Sequence, residues 1–76
     1  MTPVILFENA WEGDDEAALT NWFFDDGAAV AEGDLIAEVM VSKAAVEIRA
    51  PVAGRLKILV ATDTVVAKGD TLAEIQ

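Results

Sequence analysis

The side chains in this sequence that could do chemistry are few, and almost all are carboxylates or amines. Asp and Glu number 14 and Lys and Arg number 5, while cysteine and histidine are both absent. Without those two residues there is no thiol nucleophile, no disulfide, no Cys/His zinc set and no imidazole acid or base. The acids bunch at Asp14-Asp15-Glu16 and Asp25-Asp26, the two candidates for a carboxylate pair or a metal site. Neither has the spacing of a Ca²⁺ loop, and acids beside glycine are commonly solvated turns. No phosphate-binding glycine loop and no nucleophile–base set is present. That leaves the amines. Lys43 falls in Ser42-Lys43-Ala44, a link between two strand-like segments too short for anything but a tight hairpin. A lysine in a turn, taken by itself, is ordinarily a solvated charge. Lys57 and Lys68, in the second half of the chain and away from that tip, read as ordinary surface charges.

The elements that must position Lys43 are strands. A chain of 76 residues makes one domain, residues 1–76, and buries only roughly 60% of its unfolded surface, so its core has to be efficient. The 54% of apolar residues supply that core. Val4 to Phe7 is a compact apolar run. Val46 and Ile48 alternate with Glu47 and Arg49, and Leu56, Ile58 and Val60 repeat that period against Arg55 and Lys57. This period of two with β-branched residues is the signature of half-buried strands. The one helix-like stretch, Asp15 to Asp26, is read as a strand as well.

An internal repeat organises these strands. The stretch from Gly27 to Val39 aligns without gaps on the stretch from Asp63 to Ile75, with Val30/Val66, Ala31/Ala67, Gly33/Gly69, Asp34/Asp70, Ala37/Ala73 and Glu38/Glu74 identical. Each half then holds four short strands, and the same Gly-Asp turn is made twice. The expected fold is all-β: a flattened barrel or sandwich of two four-stranded antiparallel sheets with internal pseudo-two-fold symmetry. Under that symmetry the Ser42-Lys43-Ala44 hairpin is the mate of the first and last strands, which puts the chain termini at one pole and Lys43 at the other. One link breaks the symmetry. Glu8 to Asp15 is longer than its counterpart Ala50 to Gly54, and it carries Asn9, Trp11, Glu12 and Asp14. Extra loop length on a symmetric scaffold is a common place for partner recognition.

The formal charge of −9 argues against nucleic acid as a partner and favours basic surfaces on proteins. No run approaches the ~20 apolar residues of a membrane span, and the N-terminus lacks a basic segment before an apolar one. The expectation is a soluble monomeric module in a bacterial-type cytoplasm or an organelle matrix.

The run from Gly33-Asp34 through Glu38-Val39, Lys43-Ala44, Val46-Glu47-Ile48 and Ala50-Pro51 to Gly54 resembles the biotinyl/lipoyl attachment family. It looks most like the lipoyl domains of 2-oxo acid dehydrogenase acyltransferases, whose usual pattern is Gly-Asp-x-Leu-x-Glu-Val-Glu-Thr-Asp-Lys-Ala with a later Ala-Pro-x-x-Gly turn. Upstream, Glu16-Ala17, Trp22 and Gly27 match; downstream, Val66, Gly69, Leu72 and Ile75 do. The resemblance implies the barrel-sandwich fold of those carriers, with Lys43 as the site of covalent lipoic acid. It implies a lipoate ligase or lipoyl transferase that reads Met40, Ser42 and Ala44 around the lysine. It further implies exchange with a 2-oxo acid dehydrogenase, an acyltransferase core and a dihydrolipoyl dehydrogenase, and no catalysis by the domain itself. Two departures touch the site. Ser42 stands where the family usually has Asp, and Met40 where it has Glu, so two negative charges are missing. A biotin carrier of a carboxylase is the nearest rival, but such carriers flank the lysine with methionines rather than Ser42 and Ala44. An unmodified structural or binding module of the same fold is the third reading, and it leaves Lys43 without a role. Trp22 is expected in the core, and Trp11 either packed beneath its loop or exposed to a partner.

Overall fold

The computed structural model describes residues 1–7, 11, 16–42 and 44–76. Among them are eight strands: β1 (Thr2–Ile5), β2 (Ala17–Trp22), β3 (Ala29–Val30), β4 (Leu35–Val41), β5 (Ala44–Arg49), β6 (Gly54–Ile58), β7 (Thr64–Val66) and β8 (Thr71–Ile75). The segment with helical appearance is thus a strand, but it stops at Trp22, short of the two phenylalanines. The strands form two antiparallel four-stranded sheets, ordered β1-β8-β6-β3 and β5-β4-β2-β7. Exchanging β1 with β5, β2 with β6, β3 with β7 and β4 with β8 converts one order into the other, so the repeat in the sequence is a two-fold relation in space.

The symmetry extends to single atoms. The Asp34 carboxylate accepts the Ala31 amide at 2.8 Å, and the Asp70 carboxylate accepts the Ala67 amide at 2.8 Å. Gly33 and Gly69 sit at φ 88° and 92°. The Gly33 amide donates to the Ala50 carbonyl and the Gly69 amide to the Leu6 carbonyl, at 2.8 and 2.7 Å. Gly27 and Asp63, also aligned in sequence, both take positive φ, 88° and 64°. That region is open to glycine and tolerated by Asp, whereas a branched side chain there would strain.

Period-two alternation decides what lies between the sheets. Val4, Leu6, Leu19, Ile36, Val39, Ile48, Leu56, Val66, Leu72 and Ile75 are buried in one cluster, while Ile5 and Phe7 of the opening apolar run face out. Trp22 lies at the margin of this core, half-buried, with its indole N–H donating to the Val60 carbonyl at 2.8 Å. Gly54 explains the glycine of the Ala-Pro-x-x-Gly turn. A Cβ there would stand 2.7 Å from Ile75 Cγ2 and closer still to the Gln76 carbonyl oxygen.

The registers also fix the poles. Ala18 pairs with Met40 and Trp22 with Ala37, so Trp22 ends β2 on the side away from the β4–β5 turn. Leu56 pairs with Ile75 and Ile58 with Ala73, so β6 runs away from the chain terminus towards Val60. The Trp22–Val60 bond joins these two far ends. Thr2 pairs with Ile75 beyond them. The β4–β5 turn and the chain termini therefore occupy opposite poles of a body 32 × 20 × 17 Å.

Candidate functional site

The β4–β5 hairpin is the most extensively paired in the molecule. Its ladder runs from Leu35↔Arg49 to Val41↔Ala44, with one irregularity between Leu35 and Ala37. Because Val41 pairs directly with Ala44, only positions 42 and 43 make the turn. A two-residue hairpin matches the right-handed strand twist when its first residue has positive φ, and Ser42 has φ 53°. An L-residue resists that region, while Asn and Asp enter it more readily because their short polar side chains bond locally. This gives a backbone reason for the Asp that the sequence pattern expects where Ser42 stands, apart from any charge a partner reads.

Lys43 itself lies outside the described residues. Around it Ser42, Ala44 and Ala45 are exposed, Val41 is buried, and Met40 is 38% exposed. The turn is anchored through Val41 and Val39 into the core and presents its remaining neighbours to solvent. The described residues suit a group bound through an amide at position 43: both flanks, Ser42 and Ala44, are small and exposed.

Of the four residues of the longer β1–β2 link, Asn9, Glu12 and Asp14 lie outside the described residues. Trp11 is half-buried against the core cluster, which resolves the choice between packing and exposure in favour of packing. Lys68 holds it: the ammonium donates to the Trp11 carbonyl at 2.9 Å and lies 5.3 Å from the ring centroid. The reading of Lys68 as an ordinary surface charge away from the tip is therefore corrected. Ala17 pairs with Val66 one step nearer the turn than Ala18 with Val65, so the chain leaves β7 towards Lys68 at the turn's own pole. The sequence did carry a signal. Val30-Ala31-Glu32-Gly33-Asp34 and Val66-Ala67-Lys68-Gly69-Asp70 differ only at Glu32/Lys68, and only the second copy has a long loop to hold.

Of the clustered acids, Asp26 accepts the Ile58 amide at 2.8 Å and so ties the β2–β3 connection to β6. Among the described residues no group of three or more Asp or Glu is placed to hold a metal ion.

Residues 10–75 match the biotin/lipoyl family model, described as "Biotin-requiring enzyme". The chain is 38% identical over 65 residues to the dihydrolipoyllysine-residue acetyltransferase component of pyruvate dehydrogenase complex of Staphylococcus epidermidis, across 84% of this chain and 15% of that one. It is 45% identical over 58 residues to the lipoamide acyltransferase component of branched-chain alpha-keto acid dehydrogenase complex of Pseudomonas aeruginosa, across 76% and 14%. The chain thus spans about one seventh of the length of these relatives.

Proposed function

Because the chain belongs to the biotin/lipoyl attachment family, we propose that it carries lipoic acid as an amide on Lys43, in service of a 2-oxo acid dehydrogenase complex. The observation that carries this reading is the two-residue turn at residues 42 and 43, set at the pole opposite the chain termini. A carrier needs that separation, because the tether must not obstruct the payload. In the modifying step the Lys43 ε-amine attacks the carbonyl of an activated lipoate. A C–N bond forms, the activating group leaves with its electron pair, and the amine gives up a proton to solvent. When attached, the group supplies acyl and electron carriage among a 2-oxo acid dehydrogenase, an acyltransferase core and a dihydrolipoyl dehydrogenase.

The domain's own contribution is mechanical. The ladder from Leu35 to Val41 holds the turn at a fixed point, so a modifying enzyme meets a defined backbone. Tethering the payload makes each encounter intramolecular and raises its effective concentration at each active site to about the millimolar range. Lipoate is favoured over biotin by the flanks, Ser42 and Ala44 in place of methionines, and by the names of the relatives, which are lipoyl-lysine and lipoamide acyltransferases. On this reading the domain works where its ligase works, in a bacterial cytoplasm or an organelle matrix.

Intact mass after co-expression with a lipoate ligase and lipoate tests the proposal, beside a Lys43→Ala control. The expected result is one lipoyl-sized increment that the control lacks. An increment only with biotin ligase and biotin would move the reading to a biotin carrier, and no increment with either would overturn modification.

A further inference from the structure

The outer face of the sheet that bears the turn is not uniform. Ala45 pairs with Met40, Met40 with Ala18, and Ala18 with Val65, so one unbroken row crosses all four strands β5-β4-β2-β7. Directly paired residues share a face, and the neighbours of Met40 and Ala18 along the two central strands (Val39 and Val41, Ala17 and Leu19) are buried, as is Val66 beside Val65, so this row points outward. Every member is apolar. Ala45 is exposed, Ala18 half-buried, Met40 38% exposed and Val65 62% exposed. A solvated face of an antiparallel sheet ordinarily turns polar residues to water, whereas this row is apolar from edge to edge.

Its borders are specific. On one side, a single pair away, lies the turn at residues 42 and 43. On the other, about 7 Å along the strands, the next outward row holds Glu47, Glu38 and Asn21, with Glu38 paired to both of the others. Arg49 balances Glu47 at 3.1 Å, the one ion pair among the described residues, which leaves Glu38 as net charge. Beyond the β7 end, the Lys68 ammonium is turned onto Trp11.

We propose that the row Ala45–Met40–Ala18–Val65 is the docking strip for the enzyme that acylates Lys43, which meets it with a flat apolar surface bordered by basic side chains. The inference rests on the carrier reading and adds to it how the turn is recognised. Two features commit the strip to this occupant. Any enzyme that takes residue 43 into its active site must cover ground one residue pair away, because a specific interface spans about 800 Å² on each partner. Strand spacing puts Val65 only about 10 Å from Met40, within that footprint. Charge supplies the second, since the Glu38 row calls for basic groups along one border. Where Met40 and Ser42 lack the acids of the usual pattern, the strip provides apolar area in their place.

The test is the initial rate of lipoylation of the whole chain by a lipoate ligase with ATP and lipoate, as a function of domain concentration. Val65→Lys and Met40→Lys are expected to raise KM for the domain at least about tenfold with kcat within twofold. Met40→Gln, which keeps the side chain's length, should raise it about threefold. Leu59→Lys, exposed and just past the end of β6 in the other sheet, should leave both unchanged. Thermal melts of each variant confirm folding, and Met40→Gln keeps the test sound if a lysine variant does not fold. Wild-type KM in the folded Met40 and Val65 variants would overturn the strip while leaving the carrier reading intact. A wild-type dimer by light scattering that Val65→Lys abolishes, with KM unchanged, would show that the strip is a self-contact. An unmodified wild type would remove the carrier reading and the strip with it.

Discussion

At the scale of single residues, Lys68 shows how one substitution distinguishes two copies of the same turn. Changing it to Glu gives the second turn the sequence of the first, so the turn itself should form as before. What is lost is the hydrogen bond to the Trp11 carbonyl and the ammonium over its ring. With about 0.5–1.5 kcal/mol for such a hydrogen bond and about 0.5–1 kcal/mol for an exposed cation–π contact, Lys68→Glu should cost roughly 1–2 kcal/mol. Denaturant unfolding measures the loss, and Trp11 emission should shift to the red as the ring gains water. Ser42 shows the complementary case, a residue whose backbone angle is set by its position between paired Val41 and Ala44 rather than by its own preference.

At the scale of elements, the Gly-Asp turns are the repeated device that sets strand entry into both sheets. Each Asp carboxylate closes its own turn by accepting an amide three residues back, at the same 2.8 Å. Asp34→Ala and Asp70→Ala should therefore cost equal amounts, about 1 kcal/mol each, or roughly 4–8 °C in Tm. They share no partner, so the double variant should show the sum. A coupling energy well above 0.5 kcal/mol would mean that the turns communicate through the core. These turns were legible from the sequence because Gly33-Asp34 and Gly69-Asp70 sit in a gapless repeat, and the strands were legible because Val46/Ile48 and Leu56/Ile58 alternate. The apolar row was not. Its members come from four separate strands, and their alignment depends on inter-strand registers that slip just beyond the row, between Leu19 and Asn21 and between Leu35 and Ala37. Nothing local in the sequence marks those shifts, since a one-residue slip changes which side chains are neighbours without changing any side chain. The grip of Lys68 on Trp11 escaped for a related reason: it joins residues far apart in the chain through the path of a loop.

For the whole molecule, the decisive fact is that neither half of the repeat owns a sheet. The sheet of β1, β8, β6 and β3 takes two strands from each half, and so does its mate. A chain cut after Val41 keeps β1 to β4 but cannot complete either sheet or enclose Leu19, Ile36 and Val39. Such a fragment should give no cooperative melt by circular dichroism at low micromolar concentration, whereas the whole chain should melt in one transition. A sharp melt of the fragment would contradict the shared core. The place of β8 also bears on how a ribosome delivers this fold. It lies between β1 and β6, yet it is the last of these eight strands to be synthesised, so β1 has no partner in its sheet until translation has passed residue 75. The opposite sheet has all four of its strands once residue 66 has emerged. The turn with Lys43 therefore belongs to the sheet that can close first in the nascent chain, and the pole with the termini is built last.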